Sequence, residues 1–218
     1  MVDWAEHARR EQSRYRDGEA RLPEVDDRDA RQRQLARMGN AAEGVGLARL
    51  MAGETDAARE WFARAVERYR ESYELAPPGS WGRLIAILKA HILAGDWIGA
   101  QTDARWTLEQ AAAEAESSIG RYAAVLALFV LGCDDEARVL ADNLRARDDF
   151  PASVGDALAA IAAQDPLGYA DAIEAVLESF ETREDYLEDL PVADTVIVLQ
   201  ALAARRNVAA ELSSPLLP

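Results

Sequence analysis

The chain has 218 residues, half of them apolar, with 39 acidic against 24 basic side chains and a formal net charge of −15. That length suits one domain or a short array of helical repeats, either of which buries roughly 70% of its unfolded surface. A surface so negative repels a phosphate backbone and anionic lipid, so neither nucleic acid nor a membrane is an expected partner. A cationic protein, or a very salty medium, is its natural complement.

Alanine supplies much of the apolar content, while β-branched and aromatic residues cluster in three short stretches, which points to helices. Lys89 is the only lysine; the other basic residues are arginines. Low lysine with abundant carboxylates resembles the proteins of salt-accumulating halophiles, although GC-rich coding produces the same replacement of lysine by arginine. On the salt reading, folding needs roughly molar potassium chloride, where the Debye length falls to about 3 Å. An unchanged melting temperature between dilute buffer and molar salt would remove that reading. Cys133 is the lone cysteine, so neither an intrachain disulfide nor a Cys-rich metal site is expected. The charged stretch from Asp3 to Arg21 does not read as a signal peptide. The longest apolar run, Tyr122 to Leu131, is too short to span a bilayer. A cytoplasmic location is therefore the expectation.

In chain order, Val2 to Arg16 predicts a helix with Trp4, Ala8 and Tyr15 along one side, and Gly18 to Val25 a loop. Residues 1–25 are thus set apart from a helical-hairpin domain over 26–218. Asp26 or Asp27 caps a long helix that runs through Leu35, Met38 and Leu47 to Ala52. From there a junction repeats. Ala52-Gly53-Glu54-Thr55-Asp56, Ala94-Gly95-Asp96 and Leu131-Gly132-Cys133-Asp134 each place a helix-closing glycine before a capping acceptor. Ala163-Gln164-Asp165-Pro166 is a looser fourth copy, with Asp165 as cap and Pro166 at the first helical position. The alanines that follow, Ala58, Ala100, Ala137 and Ala170, recur at spacings of 42, 37 and 33 residues, the range of paired-helix repeats.

The eight prolines all fall where a helical pattern should break. The expected pairs are 26–76, 80–116, 118–148 and 151–183, followed by a final helix over 190–206 and a tail. In the first pair, Ala58, Phe62 and Ala65 resemble the second helix of a tetratricopeptide repeat, and Gly46 the small residue of its first. Leu84–Leu93, Tyr122–Leu131 and Val192–Leu202 are apolar nearly all round, so they belong inside, beneath acidic outer helices. The fold class is all-α: stacked antiparallel helical hairpins, a degenerate tetratricopeptide-like array in compact form.

No pattern of residues carries chemistry. Gly39, Gly44 and Gly46 lack the Gly-Lys-Ser/Thr of a phosphate loop and fall mid-helix, where close packing explains them. His7 and His91 are the only histidines and have no zinc-ligand spacing. Of the paired carboxylates, Asp26-Asp27, Asp134-Asp135 and Asp148-Asp149 sit at helix ends, where capping accounts for them. Glu184-Asp185 and Glu188-Asp189 follow in a chain too acidic for them to stand out. No catalytic residue, cofactor or metal is expected. Most tryptophans read as packing residues; Trp81, after Pro78-Gly79-Ser80, and Arg83 also have the character of interface anchors.

The C-terminal stretch Ala159-Ala160-Ile161-Ala162-Ala163-Gln164-Asp165 leads into Tyr169, Ala172-Ile173 and Val176-Leu177-Glu178-Ser179-Phe180. Leu199-Gln200-Ala201-Leu202-Ala203-Ala204-Arg205-Arg206 follows, and then the ending Ser214-Pro215-Leu216-Leu217-Pro218. Together these resemble the C-terminal half of the immunity protein 49 family, helical proteins encoded beside polymorphic toxins. Phe180 stands where that pattern commonly has histidine, Gln164 replaces glycine and Leu216 replaces tyrosine. The resemblance implies stoichiometric neutralisation of a cognate toxin, and this acidic surface would speed association with a basic one. The alternative is a tetratricopeptide-like adaptor of a halophile that holds a peptide or protein in its groove. By analogy with such grooves, the fifth and ninth positions of each first helix face inward. Counting from Gly39, Trp81 and Ser118 gives Glu43, Lys89 and Tyr122 as candidate partner-binding residues, beside Trp81 and Arg83.

Overall fold

At all four predicted junctions the preceding helix closes with one hydrogen-bond pattern. Gly53, Gly95 and Gly132 take φ of 77°, 68° and 76°, and Gln164 takes 53° without the freedom of a glycine. Each donates its N–H to the carbonyl three residues back, and the next residue donates five back, as in Cys133 to Leu128 at 2.9 Å and Asp165 to Ala160 at 3.0 Å. This closes a helix by satisfying its last carbonyls. The predicted acceptors are used less uniformly. Asp27 and Asp165 do cap, taking the amides of Ala30 and of Leu167 and Gly168. At the first and third junctions the capping positions fall to Glu54 and Cys133, whose side chains make no cap bond.

The computed structural model describes residues 2–186 and 189–218, and these form ten α-helices and no strand. They divide into two compact units. The first comprises residues 1–96 with 185–192 and 218. It contains α1 (Trp4–Arg21), α2 (Arg28–Met51), α3 (Thr55–Leu75) and α4 (Trp81–Ala94), each packed on the next. The second comprises residues 97–184 and 193–217. It contains α5 (Trp97–Glu109), α6 (Ser118–Leu131), α7 (Asp134–Arg145), α8 (Ala152–Ala163), α9 (Pro166–Glu181) and α10 (Asp194–Ala204). Here α5 to α9 pack in succession and α10 lies against α8 and α9. The boundary between units falls at Asp96 and Trp97, inside the 80–116 span read as one pair.

In the first unit the glycines of α2 set the helix spacing. A Cβ on Gly46 would lie 2.6 Å from Phe62 Cε1, and one on Gly39 would lie 2.5 Å from Tyr69 Cε1. Only hydrogen at those positions lets α3 approach. Gly18 does the same for α1, where a Cβ would meet Met38 Cγ at 2.6 Å. That contact corrects the expected loop: α1 continues through Gly18 to Arg21, and a single 3-10 turn over Leu22–Glu24 makes the connection. Residues 1–25 are accordingly part of the first unit. Ser72 Oγ donates to the Gln32 carbonyl at 2.6 Å, which ties α3 to α2.

In the second unit, α6 is buried from Tyr122 through Val130, as its all-round apolarity requires. A Cβ on Gly155 would fall 2.9 Å from Arg145 Cα, so α8 crosses the end of α7 at backbone distance. Arg206, just past α10, binds the α6–α7 junction: it donates to Asp134 Oδ2 at 3.1 Å and to the Phe129 carbonyl at 2.9 Å. Its side chain is 6% exposed. Arg205 lies over the Trp97 ring at 4.2 Å. Gln200 accepts from the Tyr169 hydroxyl at 3.0 Å and donates to the Ala210 carbonyl at 2.6 Å, which fixes the tail.

Candidate partner-binding surface

The five residues singled out from sequence fall in both units: Glu43, Trp81, Arg83 and Lys89 in the first, Tyr122 in the second. Glu43, on α2, is half-buried and accepts from the Tyr69 hydroxyl at 2.6 Å. Arg83, on α4, is half-buried too, and is engaged inside its own unit. Its Nε donates to Ser72 Oγ at 2.7 Å and its Nη2 to Gln32 Oε1. Burial of that guanidinium lowers its pKa from the ordinary arginine value. Arg83 is therefore a cross-brace among α2, α3 and α4. Trp81 and Lys89 are half-buried on the same helix. Tyr122 is buried in α6 with its ring tilted against Phe150, 5.4 Å between centroids.

Several of the remaining chemistry-bearing residues are engaged within the fold, whereas the buried Nδ1 of His7 has no hydrogen-bond partner among the described residues. His91 Nδ1 lies 2.9 Å from Asp96 Oδ2. The Asp134-Asp135 pair, expected to cap, instead supplies Asp134 to Arg206, and Asp149 receives both Nε and Nη2 of Arg147 at 2.7 and 2.8 Å. That hydrogen bond first, and the positive charge next, hold the Asp149 carboxyl below the usual aspartate range. Glu188 lies outside the described residues. Among those described, no three His, Cys, Asp or Glu side chains are grouped to hold a metal ion, and no helix is long and apolar enough to cross a membrane.

Two features escaped the sequence reading. The first is where the charge sits. The first unit carries 20 acidic and 16 basic residues, the second 19 acidic and 8 basic, so the excess is −4 against −11. A tally of carboxylates either side of Asp96 would have revealed it. The second is an open groove of about 490 Å³ along α7, α8 and α9 of the second unit. Ala159, Ala160, Ala172 and Ala175 line it with bare methyl groups, and Asp142 and Asp171 stand on its α7 and α9 sides. Their spacing was legible only as ordinary helix-forming alanine.

No family model, curated protein or solved structure matches the chain. The surface must therefore speak through its own chemistry. Its resources are charge and shape: exposed carboxylates on α7 and α9, a groove with an alanine lining, and the exposed apolar side chains of Ile98, Val139 and Leu167, which are 83%, 63% and 80% exposed. All three belong to the second unit.

Proposed function

We propose that this chain is a non-enzymatic scaffold of the immunity type, which binds a cationic protein toxin stoichiometrically in the cytoplasm and so neutralises it. The observation that carries this reading is the uneven charge. A medium of high salt acts on both units alike, so adaptation to salt calls for carboxylates on each. Here one unit is close to balance and the other holds most of the excess. A local field of that kind steers an oppositely charged protein and raises its association rate. The exposed Ile98, Val139 and Leu167 add apolar contact area in the same unit as the charge excess. The resemblance of the C-terminal stretch to immunity protein 49 supplies the kind of partner.

The experiment is rescue. Cells expressing a toxin encoded beside this chain should survive when the chain is co-expressed, with a one-to-one complex recoverable from the lysate. Survival without complex formation, or no survival at equal expression, would end the proposal. The interlock of Gly46 with Phe62, and the burial of Ala58 and Ala65, support a second reading as a tetratricopeptide-like adaptor. That reading expects several unrelated peptide ligands in place of one toxin.

A further inference from the structure

We infer that the groove along α7, α8 and α9 seats a basic amphipathic helix of the protein partner, an inference that rests on the proposal of a cationic partner. Shape comes first. One turn of a helix about 10 Å across displaces on the order of 400 Å³. The groove, at about 490 Å³, holds a turn of helix and is too small for a folded domain. Its lining of alanine methyl groups lets an incoming helix come close, because interaxial distance is set by the side chains at the contact.

Charge selects the occupant. Arg145 is already paired with Asp156, Nε to Oδ1 at 3.4 Å. Asp165 is engaged in capping α9. Among the described residues neither Asp142 nor Asp171 pairs with a cation, and both are exposed on the walls. Arg138, on the α7 side, is the other basic residue of the groove, and the charged residues on the α9 side, Asp165 and Asp171, are both acidic. Leu167, 80% exposed, stands one helical turn before Asp171 and adds an exposed apolar side chain to α9. A lysine or arginine face with leucines beside it matches this set. A second copy of the chain would bring an excess of −11 against −11, and an acidic peptide would meet the same repulsion.

The test uses the full chain and a fluorescein-labelled amphipathic peptide with lysine and arginine on one face and leucine and alanine on the other, read by anisotropy at physiological salt. Ala175→Trp fills the groove at an exposed position without altering charge. Asp142→Asn with Asp171→Asn removes the free carboxylates, and Glu109→Gln with Glu114→Gln removes two exposed ones elsewhere in the same unit. The groove predicts that Ala175→Trp and the aspartate pair each weaken binding at least about tenfold, as expected of contacts near the centre of an interface, and that the glutamate pair changes it less than about twofold. Equal losses from both carboxylate pairs, unchanged binding by Ala175→Trp, or no binding by wild type would overturn the inference. So would sedimentation showing a dimer that Ala175→Trp dissociates, since the occupant would then be a second copy. Circular dichroism of each variant separates lost binding from lost folding. Peptide binding without rescue from the toxin would sink the immunity reading alone; rescue undiminished by Ala175→Trp would sink the groove alone.

Discussion

Arg206 shows how one side chain can hold several elements. With its side chain 6% exposed, it serves Asp134 and the carbonyls of Phe129 and Leu202, and its guanidinium lies 4.7 Å from the Phe129 ring centroid. Removing one partner of a buried pair strands the other, but Asp134 is 24% exposed and regains water. Arg206→Met should therefore cost about 2–3 kcal/mol, below the full buried-pair penalty. Urea denaturation measures it, and Asp134→Asn in the same chain should recover part of the loss. Tyr169 gives a pH signature. It is buried, and desolvation pushes its hydroxyl well above the ordinary tyrosine value of about 10. A raised acid contributes stability that is complete below the unfolded pKa and is lost as pH climbs above it. The stability gap between wild type and Tyr169→Phe should narrow as pH rises past about 10. A gap constant from pH 8 to 11 would show that Tyr169 titrates normally. Neither role was legible beforehand: an arginine near a helix end and a tyrosine among alanines look the same whether clamped or solvated.

Among the elements, the contrast between Gly46 and Gly82 separates propensity from packing. Both lie within helices, where alanine is favoured by about 1 kcal/mol. Gly82 has open space around it, so Gly82→Ala should stabilise by about 0.5 kcal/mol. Gly46 faces the Phe62 ring, so Gly46→Ala should destabilise by about 1–3 kcal/mol despite the better propensity. Thermal melts of the two variants shifting in the same direction would refute the packing account. The helices and their junctions were readable because Gly53, Gly95 and Gly132 follow apolar runs, and chain-local hydrogen bonds decide such turns. The end of α1 was not: Gly18 reads as a breaker until Met38 is placed beside it. Burial of Glu11 was hidden for the same reason. Its carboxylate accepts from Arg10 and Arg14 at 3.0 and 2.8 Å beneath Gly44, a contact that exists only once α1 lies on α2.

For the whole molecule, a single net charge over 218 residues concealed a division that a count either side of Asp96 brings out. With the first unit at −4 and the second at −11, the −15 total is not evenly spread. The site candidates Glu43, Lys89 and Tyr122 came from a groove analogy that treats every hairpin alike, and Trp81 and Arg83 from their character as interface anchors. Neither argument could anticipate Arg83 bonding to Ser72 and Gln32, nor the groove beside α8. The central claim is that carboxylates of the second unit recruit a cationic protein. Stopped-flow association with the proposed cationic toxin tests it most directly. Neutralising Asp171, Glu174 and Glu178, exposed on α9, should slow association about tenfold and flatten its salt dependence. Neutralising Glu60, Glu67 and Glu74, exposed on α3, should leave the rate within about twofold. Equal slowing by the two sets, or no slowing by the first, would contradict the account.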